Sequence, residues 1–89
     1  MAWKIELSAT AVRELDKIEA QQRRRILKFL GDRVANLENP RSIGQALQGS
    51  KFGEFWKYRV GDYRLISKIE DYRVVILVLR IGHRRDIYR

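Results

Sequence analysis

The spacing of apolar and polar residues changes character several times along this chain, and each change marks an element. Trp3, Ile5 and Leu7 alternate with Lys4 and Glu6, which predicts a short strand. Val12, Leu15 and Ile18 then fall at helical spacing, with Ser8 or Thr10 placed to cap the helix. The pattern breaks around residues 19–22. It resumes with Ile26, Leu27, Leu30, Val34 and Leu37, the apolar stripe of a second amphipathic helix that Asn39-Pro40 brings to an end. Residues 41–53 carry three glycines and read as irregular, with Ile43, Ala46 and Leu47 forming one turn against the core.

From Phe55 the period becomes two. Gly61-Asp62 divides this stretch into two strands, and glycine at the first turn position suits a type II′ hairpin. The register follows on paper: Val60 faces Tyr63, Arg59 faces Arg64, and Trp56 faces Ser67. Trp56, Tyr58, Val60, Tyr63, Leu65 and Ile69 then share a core face. Asp71-Tyr72 reads as a second tight turn, leading into a third strand over residues 73–81. Its stretch 74–79 is apolar throughout, as expected of a strand covered on both faces. The predicted order is β-α-α-β-β-β. This is an α+β domain spanning residues 1–89, with two helices on one face of an antiparallel sheet and the first strand at an edge or beside the last.

The opposite face of the hairpin carries Lys57, Arg59, Arg64 and Lys68, with Phe55 and Ile66 among them. Arg59 and Arg64 are direct cross-strand neighbours, where like charges destabilise by some tenths of a kcal/mol, roughly. Such a face is either a solvated strand surface or the seat of an anion. Arg23-Arg24-Arg25 opens the second helix, where cations oppose the helix dipole. That run reads as a solvated turn or as a contact to phosphate or an acidic partner. Trp3 and Trp56 lie on apolar faces and are expected in the core, which leaves Phe55 as the aromatic placed to meet a base.

The charge balance bears on this choice. The 89 residues hold 19 Lys+Arg against 11 Asp+Glu, a net charge of +8, and favour a polyanionic partner. Cysteine is absent and histidine occurs once, so thiolate and multi-histidine metal sites are excluded and no cofactor is expected. No apolar run approaches the length of a membrane span, and residues 1–6 lack the apolar run of a signal peptide; the expectation is a cytoplasmic protein without a membrane partner. The reactive groups that remain are guanidinium, ammonium, phenol and one imidazole. They suit charge stabilisation at a phosphodiester, and RNA brings its own nucleophile in the ribose 2′-OH.

The run Trp56-Lys-Tyr-Arg-Val-Gly-Asp-Tyr-Arg-Leu-Ile, the apolar strand after it, and Gly82-His-Arg-Arg-Asp-Ile-Tyr-Arg together resemble the RelE/ParE toxin superfamily, and its RelE branch in particular. The resemblance covers essentially the whole chain. It implies a ribosome-dependent mRNA interferase that cuts mRNA in the A site. The partners it implies are the ribosome with its mRNA and a cognate acidic, helical, RelB-like antitoxin, with operator DNA reached only through that antitoxin. Lys57, Arg59 and Arg64 would bind the phosphate and stabilise its transition state. Arg84 would assist departure of the leaving group, and Tyr88 would help activate the 2′-OH. His83 is an additional acid/base candidate, and Lys51, Phe55, Lys68 and Arg85 are further RNA contacts. The chain departs from the family in carrying Arg59 where lysine is common. Two alternatives stand beside this reading: a ParE-like inhibitor of DNA gyrase on the same fold, and a non-catalytic basic binding module. Arg23 and Arg25 are expected to matter less than Arg64 and Arg84, as residues of a helix on the other side of the sheet.

Overall fold

The computed structural model describes residues 2–47 and 55–87. Strand β1 (Lys4–Leu7) leads to helix α1 (Ala9–Asp16) and helix α2 (Ala20–Lys28). Helix α2 continues through a wider π turn (Phe29–Arg33) and a 3-10 turn (Val34–Asn36). Strands β2 (Gln45–Ala46), β3 (Trp56–Val60), β4 (Tyr63–Glu70) and β5 (Val75–His83) follow. They form one five-stranded sheet in the order β1-β5-β4-β3-β2. Among the described residues, no helix is long and apolar enough to cross a membrane.

The α+β architecture and the hairpin register are as the sequence predicts. Arg59 pairs with Arg64, Val60 with Tyr63 and Trp56 with Ser67. Gly61 has φ 58° while Asp62 keeps a negative φ, the sign pattern of a II′ turn. Tyr58, Val60, Leu65 and Ile69 join Ala11, Leu15, Ile26, Leu30 and Val34 from the helical segments, and Ile18 from the bend between α1 and α2, in one core. Four expectations need correction. The sheet is mostly rather than wholly antiparallel, because β1 runs parallel to β5. The loop of residues 41–53 contributes an added strand, β2. On the helices, Ala11 rather than Val12 is buried, and Leu27 is exposed. Adjacent apolar residues sit about 100° apart on a helix, so only one of two neighbours can face the sheet. Finally, the third strand begins at Val75, after a 3-10 turn (Asp71–Arg73) and a left-handed Val74 at φ 55°.

Strand β5 carries the irregularity that decides the rest. Ile66 pairs with Arg80 but Ser67 pairs with Val78, so Leu79 is an extra residue. This bulge reverses the alternation. Ile76 and Val78 face the helices before it, Ile81 and His83 after it, and Arg80 is spared burial. Beyond Leu7, β5 has no strand on its outer side among the described residues, and Ser8 and helix α1 satisfy that edge. The Ser8 hydroxyl donates to the Leu79 carbonyl at 2.8 Å, and the Ile81 N–H donates to Glu14 Oε1 at 3.0 Å. The same carboxylate pairs with Arg80 at 2.9 Å. Burial pushes the Glu14 carboxyl up, but Arg80, the Ile81 N–H and Lys17 together leave it below the usual carboxylate range.

Two side-chain bonds lash the loop after α2 to β3. Tyr58 Oη donates to the Pro40 carbonyl at 2.6 Å, and Trp56 Nε1 donates to the Ile43 carbonyl at 2.8 Å. Gly44 completes this seam with φ 82°. A Cβ there would stand 2.5 Å from the Lys57 carbonyl oxygen and 2.6 Å from Trp56 Nε1. Gly44→Ala is therefore expected to lower stability by about 2 kcal/mol or more, from strain plus a backbone clash. Gly31→Ala, with nothing within 4 Å of its Cβ, should raise it by about 0.5–1 kcal/mol. Urea unfolding of the pair checks both signs, and equal effects would contradict the geometry.

The Tyr58 phenol is fully buried, and burial pushes its pKa up to about 12 against a small opposing pull from Arg41. A folded pKa above the unfolded value near 10 means that this group's stability is intact below pH ~10 and is lost as pH rises towards 12. Alkaline unfolding should accordingly be shallower in Tyr58→Phe than in the wild type. Parallel curves above pH ~10 would show that the phenol ionises freely.

Candidate functional site

The face of the sheet turned away from the helices carries a shallow cavity of about 320 Å3, lined by Gly44, Gln45, Lys57, Arg59 and Arg64. The hairpin register positions the three cations. Lys57 and Arg59 are alternate residues of β3, and Arg64 is the cross-strand partner of Arg59. Gly44 brings β2 against β3 and closes one wall. Arg64 turns its guanidinium back over the hairpin, where Nη1 donates to the carbonyls of Gly61 at 3.1 Å and Tyr63 at 3.0 Å. Those carbonyl dipoles fix its direction without cancelling its charge.

The distribution of carboxylates sets this cavity apart. Arg41 pairs with Asp71, Arg73 with Glu70 and Glu6, and Arg80 with Glu14. Among the described residues, neither Arg59 nor Arg64 has an acidic partner. The end of the sheet near Asp71 is electrically balanced, whereas the end near Gly61 leaves positive charge open to an anion.

The other sequence candidates divide. Arg84 sits at the hairpin turn: its N–H donates to the Asp62 carbonyl at 2.7 Å and its Nε lies 3.5 Å from Asp62 Oδ1. It is at the rim of the basic face and outside the cavity. Ile87 folds back over Gly82, where a Cβ would meet Ile87 Cδ1 at 2.8 Å, and Gly82 is the register partner of Arg64. Ile87, Ile66, Leu47 and Phe55 make a second, small apolar cluster. Phe55 is thus half-buried in packing rather than presented to a base. Lys68 and Arg85 are exposed, and neither lines the cavity. Tyr88 and Lys51 lie outside the described residues.

His83 falls on the opposite face of the sheet from the three cations. It pairs with Tyr63 across β4 and β5, with ring centroids 5.8 Å apart. There it helps line a cavity of about 340 Å3 with Gln22, Arg25, Gly61, Asp62 and Tyr63. Its Nδ1 accepts the Arg85 N–H at 3.2 Å and so holds the turn of the tail. The β5 bulge is the cause, since unbroken alternation from Val78 would have sent Gly82 to the helix side and His83 to the basic face.

The arginine run of α2 separates into distinct roles. Arg23 reaches back to the Asp16 and Ile18 carbonyls at the end of α1. Arg25 lies against the hairpin turn, its Nη1 2.8 Å from where a Gly61 Cβ would stand. It shares a cavity of about 370 Å3 with Lys28, Phe29, Asp32, Arg33, Arg59, Val60 and Gly61. The expectation that α2 keeps Arg25 away from the hairpin cations is therefore corrected. No local signal marks this proximity, which comes from how α2 crosses the sheet.

Residues 5–88 match the family model described as the ParE toxin of the type II toxin–antitoxin system parDE. The chain is 30% identical to Toxin RelG of Mycobacterium tuberculosis, over all of its own length and 99% of that protein. Its fold is similar to that in the toxin–antitoxin complex RelBE2 from the same organism, with a TM-score of 0.85 at 24% identity over 97% of this chain and 95% of that one. It is also similar to the archaeal RelE–RelB complex from Pyrococcus horikoshii OT3, with a TM-score of 0.74 at 26% identity over 97% and 99% of the two chains. This chain belongs to the RelE/ParE superfamily, the toxins of type II toxin–antitoxin modules.

Proposed function

We propose that this toxin is a cytoplasmic endoribonuclease that cuts mRNA in the ribosomal A site and so inhibits translation. The observation that carries this reading is the cavity of Lys57, Arg59 and Arg64, in which the two guanidiniums face no carboxylate among the described residues. Such a cavity suits a phosphodiester whose charge grows as the reaction proceeds. The ribose 2′-oxygen attacks phosphorus and gives its proton to solvent or enzyme, the bond from phosphorus to the 5′-oxygen breaks, and the 5′-oxygen takes up a proton from solvent or enzyme, leaving a 2′,3′-cyclic phosphate and a 5′-hydroxyl. Arg59 and Arg64 offer planar forks to the phosphate oxygens, and Lys57 adds a compact charge. Because RNA supplies the nucleophile and the side chains supply the positive charge, the scheme calls for no metal.

Arg84, at the rim beside Asp62, is assigned to the leaving 5′-oxygen, and Tyr88, next in the chain after the anchored Ile87, to the 2′-OH proton. His83 is not assigned to the reaction, because it faces the helices. The similar RelBE2 structure is a toxin–antitoxin complex, and the similar archaeal structure is a complex of RelE with RelB. On that analogy a cognate acidic, helical antitoxin neutralises this chain by covering the basic face. The match to a ParE model sustains a second reading, inhibition of DNA gyrase on the same fold.

Primer extension on a defined mRNA, with and without programmed ribosomes, tests the proposal, and a gyrase supercoiling assay on the same preparation tests the second reading. Arg59→Ala and Arg64→Ala should each slow single-turnover cleavage by about 10²–10³, the usual loss for one transition-state charge contact. Arg24→Ala should be close to wild type. His83→Asn retains an acceptor for the Arg85 N–H but removes the imidazole, and it should also cut normally. A large loss in His83→Asn with none in Arg64→Ala would place the chemistry on the wrong face.

A further inference from the structure

Apart from Arg59, the groove between α2 and the outer edge of β3 has no role in the reaction just described. Its lining is unusual for a surface that serves only solubility. Arg25 and Lys28, three residues apart and so on one face of α2, line one side of the groove with Arg33 from the π turn after it. Arg59 and the Gly61 turn form the other wall, and Phe29 and Val60 form an apolar floor. Four cations thus face one another across a cavity of about 370 Å3 with one carboxylate, Asp32, among them. Asp32 is held in no direct contact with them: no ion pair among the described residues joins it to Arg25, Lys28, Arg33 or Arg59.

Backbone geometry keeps the groove open. Strand β2 pairs only with Trp56 and Lys57, so among the described residues the outer edge of β3, the side away from β4, has no partner strand alongside residues 58–60. Arg59 lines both this groove and the cavity that holds Lys57 and Arg64. The two basic surfaces therefore abut at one guanidinium. From Lys57 to Gly61 the strand covers about 13 Å at roughly 3.3 Å per residue, enough to seat more than one phosphate.

We propose that this groove is a second phosphate-binding site, continuous with the first through Arg59, and that it holds the sugar–phosphate chain of the RNA strand as it leaves the reaction cavity. The proposal rests on the RNA reading of that cavity. Continuity with the cavity through Arg59, and the absence among the described residues of any ion pair to Arg25, Lys28, Arg33 or Arg59, choose a phosphodiester chain as the occupant, and the floor of Phe29 and Val60 gives its sugars an apolar surface. The groove determines how a long strand is held, whereas the cavity acts on one phosphate.

Length dependence tests it. Uncleavable 2′-O-methyl RNA, as a dinucleotide and as an oligomer of about twelve nucleotides, is titrated against the wild type and an Arg25→Ala/Lys28→Ala/Arg33→Ala variant over a range of salt. Each lost single-strand phosphate contact flattens the plot of log K against log[salt] by about 0.7, so three should flatten it by about 2. That change is expected for the oligomer and not for the dinucleotide, with the thermal melt of the variant near wild type. Equal weakening for both lengths would reduce the groove to a diffuse field and overturn the proposal. So would an unchanged slope for the oligomer, including the case in which the variant instead loses binding to an acidic helical peptide. Cleavage is scored separately: a flattened slope with no RNA cut would uphold the groove while removing the catalytic reading.

Discussion

The register of the β3–β4 hairpin is the constraint on which the structure depends. A strand has two faces, so one choice of pairing settles both the core and the basic surface. With Arg59 opposite Arg64, the residues Tyr58, Val60 and Leu65 drop into the core beside Ile26 and Leu30. A slip of one residue would drive guanidiniums into that core at the cost of an unpaired buried charge, several kcal/mol or more. Burial on one face thus holds two like charges together on the other, and the juxtaposition needs no attraction of its own. The turn reinforces it, since Gly61 accepts the positive φ and its carbonyl receives Arg64.

The tail depends on the same hairpin. Arg84 donates to the Asp62 carbonyl, and Ile87 closes over Gly82, the residue paired with Arg64. Arg84 and Ile87 are held beside the hairpin by these contacts rather than by length of chain. The bulge at Leu79 sets their phase. It places Ile81 in the core, Gly82 beneath Ile87 and His83 among the residues of α2. One extra residue in a strand thereby separates the imidazole from the guanidiniums of Arg59 and Arg64.

Much of this was legible in the chain because period-two alternation is a strong signal where one face is buried. The hairpin register, the core faces of Tyr58 and Leu65, and the basic grouping of Lys57, Arg59 and Arg64 all follow from it. What escaped has physical reasons. Strand β2 is two residues long and exists because Gly44 permits close backbone approach, which leaves no periodic trace. The choice between Ala11 and Val12 turns on a rotation of one residue about the helix axis. Helix α2 crosses the sheet so that Arg25 meets Gly61, a relation between elements that no local pattern encodes. The bulge is invisible in an all-apolar run, so the face of His83 could not be read.

The central claim is that guanidiniums aligned by the hairpin stabilise attack by the RNA's own 2′-hydroxyl. The most direct measurement is the chemical identity of the cut ends, read on a defined mRNA after a single turnover on programmed ribosomes. Attack by the 2′-oxygen predicts a 2′,3′-cyclic phosphate or 3′-phosphate on one fragment and a 5′-hydroxyl on the other, with no cleavage where the ribose at the cut site is 2′-deoxy. A 3′-hydroxyl end, or cutting that continues through the deoxy position, would mean that water is the nucleophile and would contradict the account.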